Sequence, residues 1–147
     1  MNKGVQITKR DFNKIKKELG DIPVIAEDLG VITDGVAALR DDFELPGMKV
    51  LQFAFDTDEE NDYLLHNFTK NSVAYTGTHD NDTVIGYMTK TAPQKTRKRA
   101  REYLRLTRKE GYNWGFMKAV WSSNSDTAIV TMQDLLGLGS EGRMNTP

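Results

Sequence analysis

Apolar positions along the chain switch repeatedly between a helical period and short unbroken runs. Over residues 8–19, Phe12, Ile15 and Leu19 fall at i, i+3 and i+7 with lysines between them, which predicts an amphipathic helix. Thr8 and Asp11 have capping-box spacing at its start, with Asp a weaker partner than Glu, and Gly20 is placed to close it. Residues 22–26 are then continuously apolar and stop at Glu27 and Asp28, a pattern that suits a strand covered on both faces. The unit recurs. Residues 33–43 read as helix, with Val36, Leu39 and Phe43 on one face, and residues 48–55 read as a second strand after the Pro46-Gly47 turn. A short helix is expected within residues 58–68, with Tyr63 and Leu64 inward, and a third strand at residues 72–76. Helices follow at about residues 93–108, with Pro93 in the first turn, and 113–122; a fourth strand spans residues 127–132.

Helices alternating with short apolar strands predict an α/β fold with a parallel sheet of right-handed βαβ units. The polar residues then take on meaning. Glu27-Asp28, Phe55-Asp56, Thr78-His79-Asp80-Asn81 and Gln133-Asp134 each fall at the C-terminal end of a predicted strand. That edge is where ligands bind in open sheets and in barrels.

Composition adds exclusions. The 147 residues are one domain's worth, and a net charge of −1 gives no global attraction to nucleic acid or an anionic membrane. With no cysteine and two histidines, His66 and His79, neither a disulfide framework nor a dedicated zinc site is expected. No apolar run approaches a bilayer span and the N-terminus lacks a signal-peptide core, so a cytoplasmic location is the expectation.

Glu27 leaves a dry strand for a polar rim. Partial burial there would raise its pKa and suit it to general acid/base work, whereas the plainer reading is a carboxylate capping the next helix. Asp80, beside His79, could bind sugar hydroxyls, or could merely cap a helix running from Asp82 toward Met88. Glycosidases pair two carboxylates, roughly 5–5.5 Å apart when configuration is retained. Glu27 and Asp28 are adjacent on an extended chain and point apart, which leaves Glu27 with Asp80 as the attractive pair. Spacing alone does not say whether either is a nucleophile. The basic stretch at residues 95–109 could bind RNA, but Ala100, Tyr103, Leu104 and Leu106 are spaced to dock its helix, which favours a solvated face. Trp114 and Trp121, seven apart, are expected in the core, with sugar stacking as the alternative. His66 reads as a helix-end residue without a catalytic role. There is no P-loop, dinucleotide fingerprint or serine nucleophile elbow.

Four blocks go further. Residues 25–33 (around Ala26-Glu27-Asp28-Leu29-Gly30), residues 45–55 (Pro46-Gly47-Met48-Lys49 through Phe53-Ala54-Phe55), residues 75–83 (Gly77-Thr78-His79-Asp80-Asn81-Asp82) and residues 133–145 (Gln133-Asp134 through Arg143-Met144-Asn145) closely resemble signatures of the 4-α-glucanotransferases of glycoside hydrolase family 77. They occur in the family's order from about Leu19 to Pro147. The resemblance implies the C-terminal half, strands five to eight, of a (β/α)8 barrel. It implies Glu27 as general acid/base, Asp80 as transition-state stabiliser and His79 as a ligand of the same sugar. Asp28, Phe55, Asp56 and Asn145 would line the glucan cleft. The implied partners are maltooligosaccharides and other α-1,4-glucans, with no metal or organic cofactor and no nucleic acid or membrane.

The family's aspartate nucleophile sits in an Arg-Ile-Asp-His-Phe-Arg-like motif on strand four, and nothing here matches it. The chain is therefore expected to represent a partial catalytic domain, inactive alone, with self-association through exposed barrel edges. An α-amylase-type hydrolase and a non-catalytic glucan-binding or assembly module are the alternatives. The Ala26-Glu27-Asp28-Leu29-Gly30 and Phe53-Ala54-Phe55 blocks argue against the first.

Overall fold

The computed structural model describes residues 8–20, 22–30, 32–57 and 61–147. The chain divides after Gly47 into two compact units.

The first unit opens with helix α1, Lys9–Leu19. Its capping pair forms as expected: the Asp11 carboxylate accepts from the Thr8 backbone N–H at 2.9 Å and from the Thr8 hydroxyl at 2.6 Å. Gly20 ends the helix at φ 75°, a conformation glycine adopts without strain. Helix α2, Asp34–Asp42, follows Thr33. The Phe12 and Phe43 rings meet at 5.0 Å, and with Ile15, Val24 and Leu45 they enclose an apolar pocket of about 80 Å³. The predicted strand at residues 22–26 does not form along its length. Ala26 makes a single parallel bridge with Gly47, while Ile22 and Ile25 are each 44% exposed. An apolar run becomes a strand only where a partner backbone runs beside it.

The second unit carries the sheet. Among the described residues it consists of β1 (Gly47–Val50), β2 (Ser72–Tyr75) and β3 (Thr127–Ile129) in that spatial order. β2 and β3 are parallel, with Val73, Ala74 and Tyr75 opposite Thr127, Ala128 and Ile129. The α/β class with a parallel sheet is thus as the sequence indicates. The second strand is not. It stops at Val50, and Leu51–Phe55 turn into a 3₁₀ helix. The reason is burial: Leu51, Ala54 and Phe55 all face the core, and a strand would have sent successive residues to opposite faces. Likewise β3 ends at Ile129, and Gln133 and Asp134 lie on helix α6 (Met132–Leu135, N-cap Thr131), not at a strand end.

Of the helix expected within residues 58–68, a 3₁₀ turn at Leu65–Asn67 is present with Leu64 buried; residues 58–60 lie outside the described residues. Beyond β2 come a short α turn α3 (Val84–Gly86), a π-helical turn (Tyr87–Thr91), and helices α4 (Gln94–Tyr103) and α5 (Tyr112–Trp121). Pro93 is the N-cap of α4, one position before its expected place. Phe116 of α5 is fully buried and meets Phe55 at 5.8 Å and Tyr87 at 6.4 Å, both edge-on. Thr96 and Ala100 turn inward from α4 while its basic side chains point out, which is the docked, solvated helix the spacing indicates. His66 bonds to the Tyr103 hydroxyl at 2.8 Å, in keeping with a structural role. Trp114 and Trp121 depart from expectation. They are 46% and 49% exposed and pack edge-on against each other at 6.2 Å. Seven-residue spacing put them on one face, but α5 turns Phe116, Met117 and Val120 to the core instead. Among the described residues no helix is long and apolar enough to cross a membrane.

Two outcomes follow for this core. Phe116→Ala should cost about 3–5 kcal/mol in urea unfolding, whereas Met144→Ala, at a residue 74% exposed, should stay within about 0.5 kcal/mol. Burial, and secondarily the Asp56 carboxylate, hold the Tyr87 phenol well above the ordinary tyrosine value of 10.0. A raised acid pKa stabilises the fold fully below the unfolded value, and that contribution is lost as pH climbs through it toward the folded value. Stability should therefore fall above about pH 10, and Tyr87→Phe should flatten that part of the profile.

Candidate active site

In the first unit, Glu27 follows the bridged Ala26 and is solvent-exposed, so the partial burial suggested by the sequence is absent. The preceding apolar residues are themselves largely exposed and build no dry wall around it. Asp28 is the covered carboxylate of the two, its side chain 9% exposed and 2.7 Å from Arg40 Nη1. That contact raises the already high pKa of the Arg40 guanidinium. Asp28 also leans on Gly47, where an added Cβ would come within 2.4 Å of Asp28 Oδ2. The strand-end glycine lets the carboxylate lie flat on the backbone.

In the second unit, residues 77–83 form a loop between β2 and α3 that carries His79 and Asp80. Its conformation is specified by hydrogen bonds inside it and beneath it. Asn81 Oδ1 accepts from the Thr78 N–H at 2.8 Å and from the Thr78 hydroxyl at 2.9 Å, which turns the chain under His79. Asp82 is 7% exposed and accepts from the Thr83 N–H and the Ser140 hydroxyl, both at 2.9 Å. The Gln52 side chain donates to the Asp82 carbonyl at 2.9 Å, and Gly77 leaves room for Gln52, since a Cβ there would meet its Nε2 at 2.6 Å. Asp80 does not cap the following helix; Thr83 does, accepting from the Gly86 N–H at 3.0 Å. The capping alternative for Asp80 therefore falls away, and its carboxylate stands outside the backbone's hydrogen-bonding needs.

That carboxylate projects from the loop with its side chain 47% exposed. Oδ1 accepts from Asn145 Nδ2, and His79 Nε2 lies 3.4 Å away. Arg143 reaches the Asp80 carbonyl through Nη2 at 2.7 Å and the Asn145 carbonyl through Nε at 2.7 Å. Among the described residues, Asp80 Oδ2 has no hydrogen-bond partner. Beside it opens a cavity of about 190 Å³ lined in part by Gln52, Phe53, Asp56, Asp80 and Arg143. Asp56 is exposed, positioned by the Thr96 hydroxyl at 3.0 Å.

The structure thus brings His79, Asp80 and Asn145 together and places Asp56 on the same cavity. It does not place Phe55 there: Phe55 is 2% exposed, packed on Phe116 and Tyr103. The 3₁₀ turn rotates Phe55 into the core and leaves Phe53, two residues earlier, among the residues lining the cavity, with Tyr87. Arg143, Gln52 and Asp82 were not singled out from the sequence. Arg143 stands two residues before Asn145 in the last of the four family-like segments, a cation beside an amide. A cavity lined by carboxylates, amides, a guanidinium and aromatic rings suits a ligand rich in hydroxyl groups.

Comparison with known proteins agrees with this chemistry. The sequence profile of the 4-alpha-glucanotransferases, glycoside hydrolase family 77, matches residues 4–147. The 4-alpha-glucanotransferase of Clostridium butyricum is 52% identical over 136 residues, covering 92% of this chain and 28% of the relative. That of Thermus thermophilus is 47% identical over 142 residues, again covering 92% and 28%. The amylomaltase of Streptococcus agalactiae, solved in complex with acarbose, superposes with a TM-score of 0.87 at 36% identity, over 93% of this chain and 28% of that one. The chain thus spans little more than a quarter of the length of these relatives. It belongs to the 4-alpha-glucanotransferase family, glycoside hydrolase 77.

Proposed function

We propose that this chain supplies the acid/base and transition-state-stabilising part of a retaining 4-α-glucanotransferase site, on strands five to eight of a (β/α)8 barrel. The observation that carries the reading is the presentation of Asp80: a carboxylate oxygen without a hydrogen-bond partner among the described residues, beside His79, on a loop whose backbone is fixed by other residues. A group held in advance toward developing positive charge stabilises it without reorganising during the reaction.

In this reading Asp80 and His79 bind the hydroxyls of the sugar at the cleavage point and stabilise its oxocarbenium-like transition state. Glu27 protonates the departing glycosidic oxygen, then takes the proton from the incoming 4-hydroxyl. Between these steps the donor glucan is held covalently by a carboxylate nucleophile. The bond broken is α-1,4 at the donor, and the bond formed is α-1,4 to the acceptor, so no redox equivalent or metal is required. Asp56 and Asn145 line the cleft, Phe53 offers a ring face in place of Phe55, and Asp28 holds the segment around Glu27 through Arg40. The solved relative's complex with acarbose supports a glucan-type ligand. The molecule's setting would be the cytoplasm, where such glucans are remodelled.

Acarbose and maltooligosaccharide titrations of the 147-residue chain test the reading. Asp80→Asn and His79→Ala should each weaken binding by about 10–100-fold, the worth of one or two hydrogen bonds to a charged group. Wild-type protein that shows no affinity for either ligand would sink it. No residue here matches the nucleophile motif, so the chain alone should not disproportionate maltotriose; glucose release from maltotriose by the purified chain would overturn that part.

A further inference from the structure

We infer that Asp134 is the positioning residue of the His79–Asp80 loop: a buried carboxylate that closes the loop by binding both of its ends. Asp134 is 1% exposed. Its Oδ2 accepts from the Thr76 hydroxyl at 2.7 Å, and its Oδ1 accepts from the Val84 backbone N–H at 2.7 Å. Thr76 is the first residue after β2 and is fully buried, and Val84 is the first residue of α3. Between them lie residues 77–83 and nothing else. One planar group therefore fixes where the loop leaves the sheet and where it re-enters the helix.

The backbone of Asp134 is itself held, from α5 and by the N-cap of its own helix α6. The Asp134 carbonyl accepts from Asn113 Nδ2 at 2.9 Å, on α5, and its N–H donates to the Thr131 hydroxyl at 3.3 Å. Among the described residues no buried side-chain polar atom is left without a partner, so the network is complete. A satisfied buried network of this kind is rigid, because each group lost strands another in low dielectric. The remaining hydrogen bonds of the loop, through Asn81, Asp82, Gln52, Arg143 and Asn145, hold points within its span; among the described residues Asp134 alone hydrogen-bonds to both flanking residues, Thr76 and Val84.

This rests on the reading of Asp80 as the glucan-binding stabiliser, which needs its carboxylate held to a fraction of an ångström. Asp134 touches no reacting atom in that scheme. It sets the place of the residue that does.

The test uses the 147-residue chain and three variants: Asp134→Ala, Thr76→Val and Asp134→Asn. The alanine releases both loop ends, and the valine releases one. The asparagine keeps the geometry, because its amide oxygen can face the Val84 N–H while its NH₂ donates to a rotated Thr76 hydroxyl. Amide exchange and the ¹³C shift of the Asp80 carboxyl are read by NMR without ligand, and acarbose affinity is measured alongside. Asp134→Ala should speed exchange in residues 77–83 by about 10–100-fold over any change at Phe116 and Met117, and move the Asp80 carboxyl signal. It should also weaken acarbose binding about tenfold or more, with Thr76→Val intermediate and Asp134→Asn near wild type. Exchange that rises equally in the loop and in α5, or an Asp80 signal that does not move, would overturn the proposal. Should Asp134→Ala fail to fold, Thr76→Val decides: no selective loosening of the loop refutes it. Wild-type protein that ignores acarbose would refute the glucan reading instead, leaving the ligand-free NMR to judge Asp134.

Discussion

A polar loop at the end of a buried strand can be ordered only if every backbone and side-chain group turned inward finds a partner. The second unit is built around that requirement. Residues 77–83 leave a sheet whose interior is sealed by Leu51, Ala74 and Phe116, so water cannot satisfy the loop's underside. Gln52, Asp134 and Ser140, each from a different stretch of sequence, do so instead, together with the adjacent Thr76 and the loop's own Asp82. Because these buried partners take up the demand, Asp80 and His79 remain on the exposed side. Availability for a ligand is a product of satisfaction underneath.

The same economy explains the elements that a period-based reading gets wrong. Residues 48–55 are apolar almost throughout, and an unbroken apolar run fits a buried strand or a buried helical turn equally well. What decides is which residues must reach the core. Leu51 and Ala54 stand three apart on one side of a 3₁₀ turn, and Phe55 follows them inward against Tyr103 and Phe116. Phe53 is then left at the cavity. A strand would have placed Phe53 and Phe55 on the same face, which is why the family pattern alone could not tell the two aromatics apart.

Much was nonetheless legible. Helices α1, α2 and α5 lie within a residue or two of their periodic patterns, and the Thr8–Asp11 pair caps α1 as its spacing requires. His79 and Asp80 follow β2, as the order of apolar and polar residues indicates, whereas Asn145 came from the family resemblance and Asp56 follows a 3₁₀ turn in place of the expected strand. The parts that were not legible depend on contacts distant in sequence. Asp134 reads as one more strand-end acid until Thr76 and Val84, 58 and 50 residues away, claim its two oxygens. Arg143 reads as a surface cation until its guanidinium is found on the carbonyl of Asp80, 63 residues away. Trp114 and Trp121 share a helical face, but a face is core only if something packs on it, and here Phe116 and Val120 took that place.

The two carboxylates that the sequence pairs are thus supported in unequal ways. Asp80 has its backbone carbonyl bound by Arg143, one oxygen bound by Asn145, and its loop closed from below by Asp134. Glu27 emerges, exposed, after the bridged Ala26 and beside Asp28, which pairs with Arg40. Electrostatic stabilisation depends on the place of a charge, and a prebuilt loop supplies that. General acid/base work depends as well on how far the carboxyl is desolvated, which needs cover that exposed Ile22 and Ile25 do not give. Of the two proposed roles, that of stabiliser is the one the hydrogen bonding of the described residues favours.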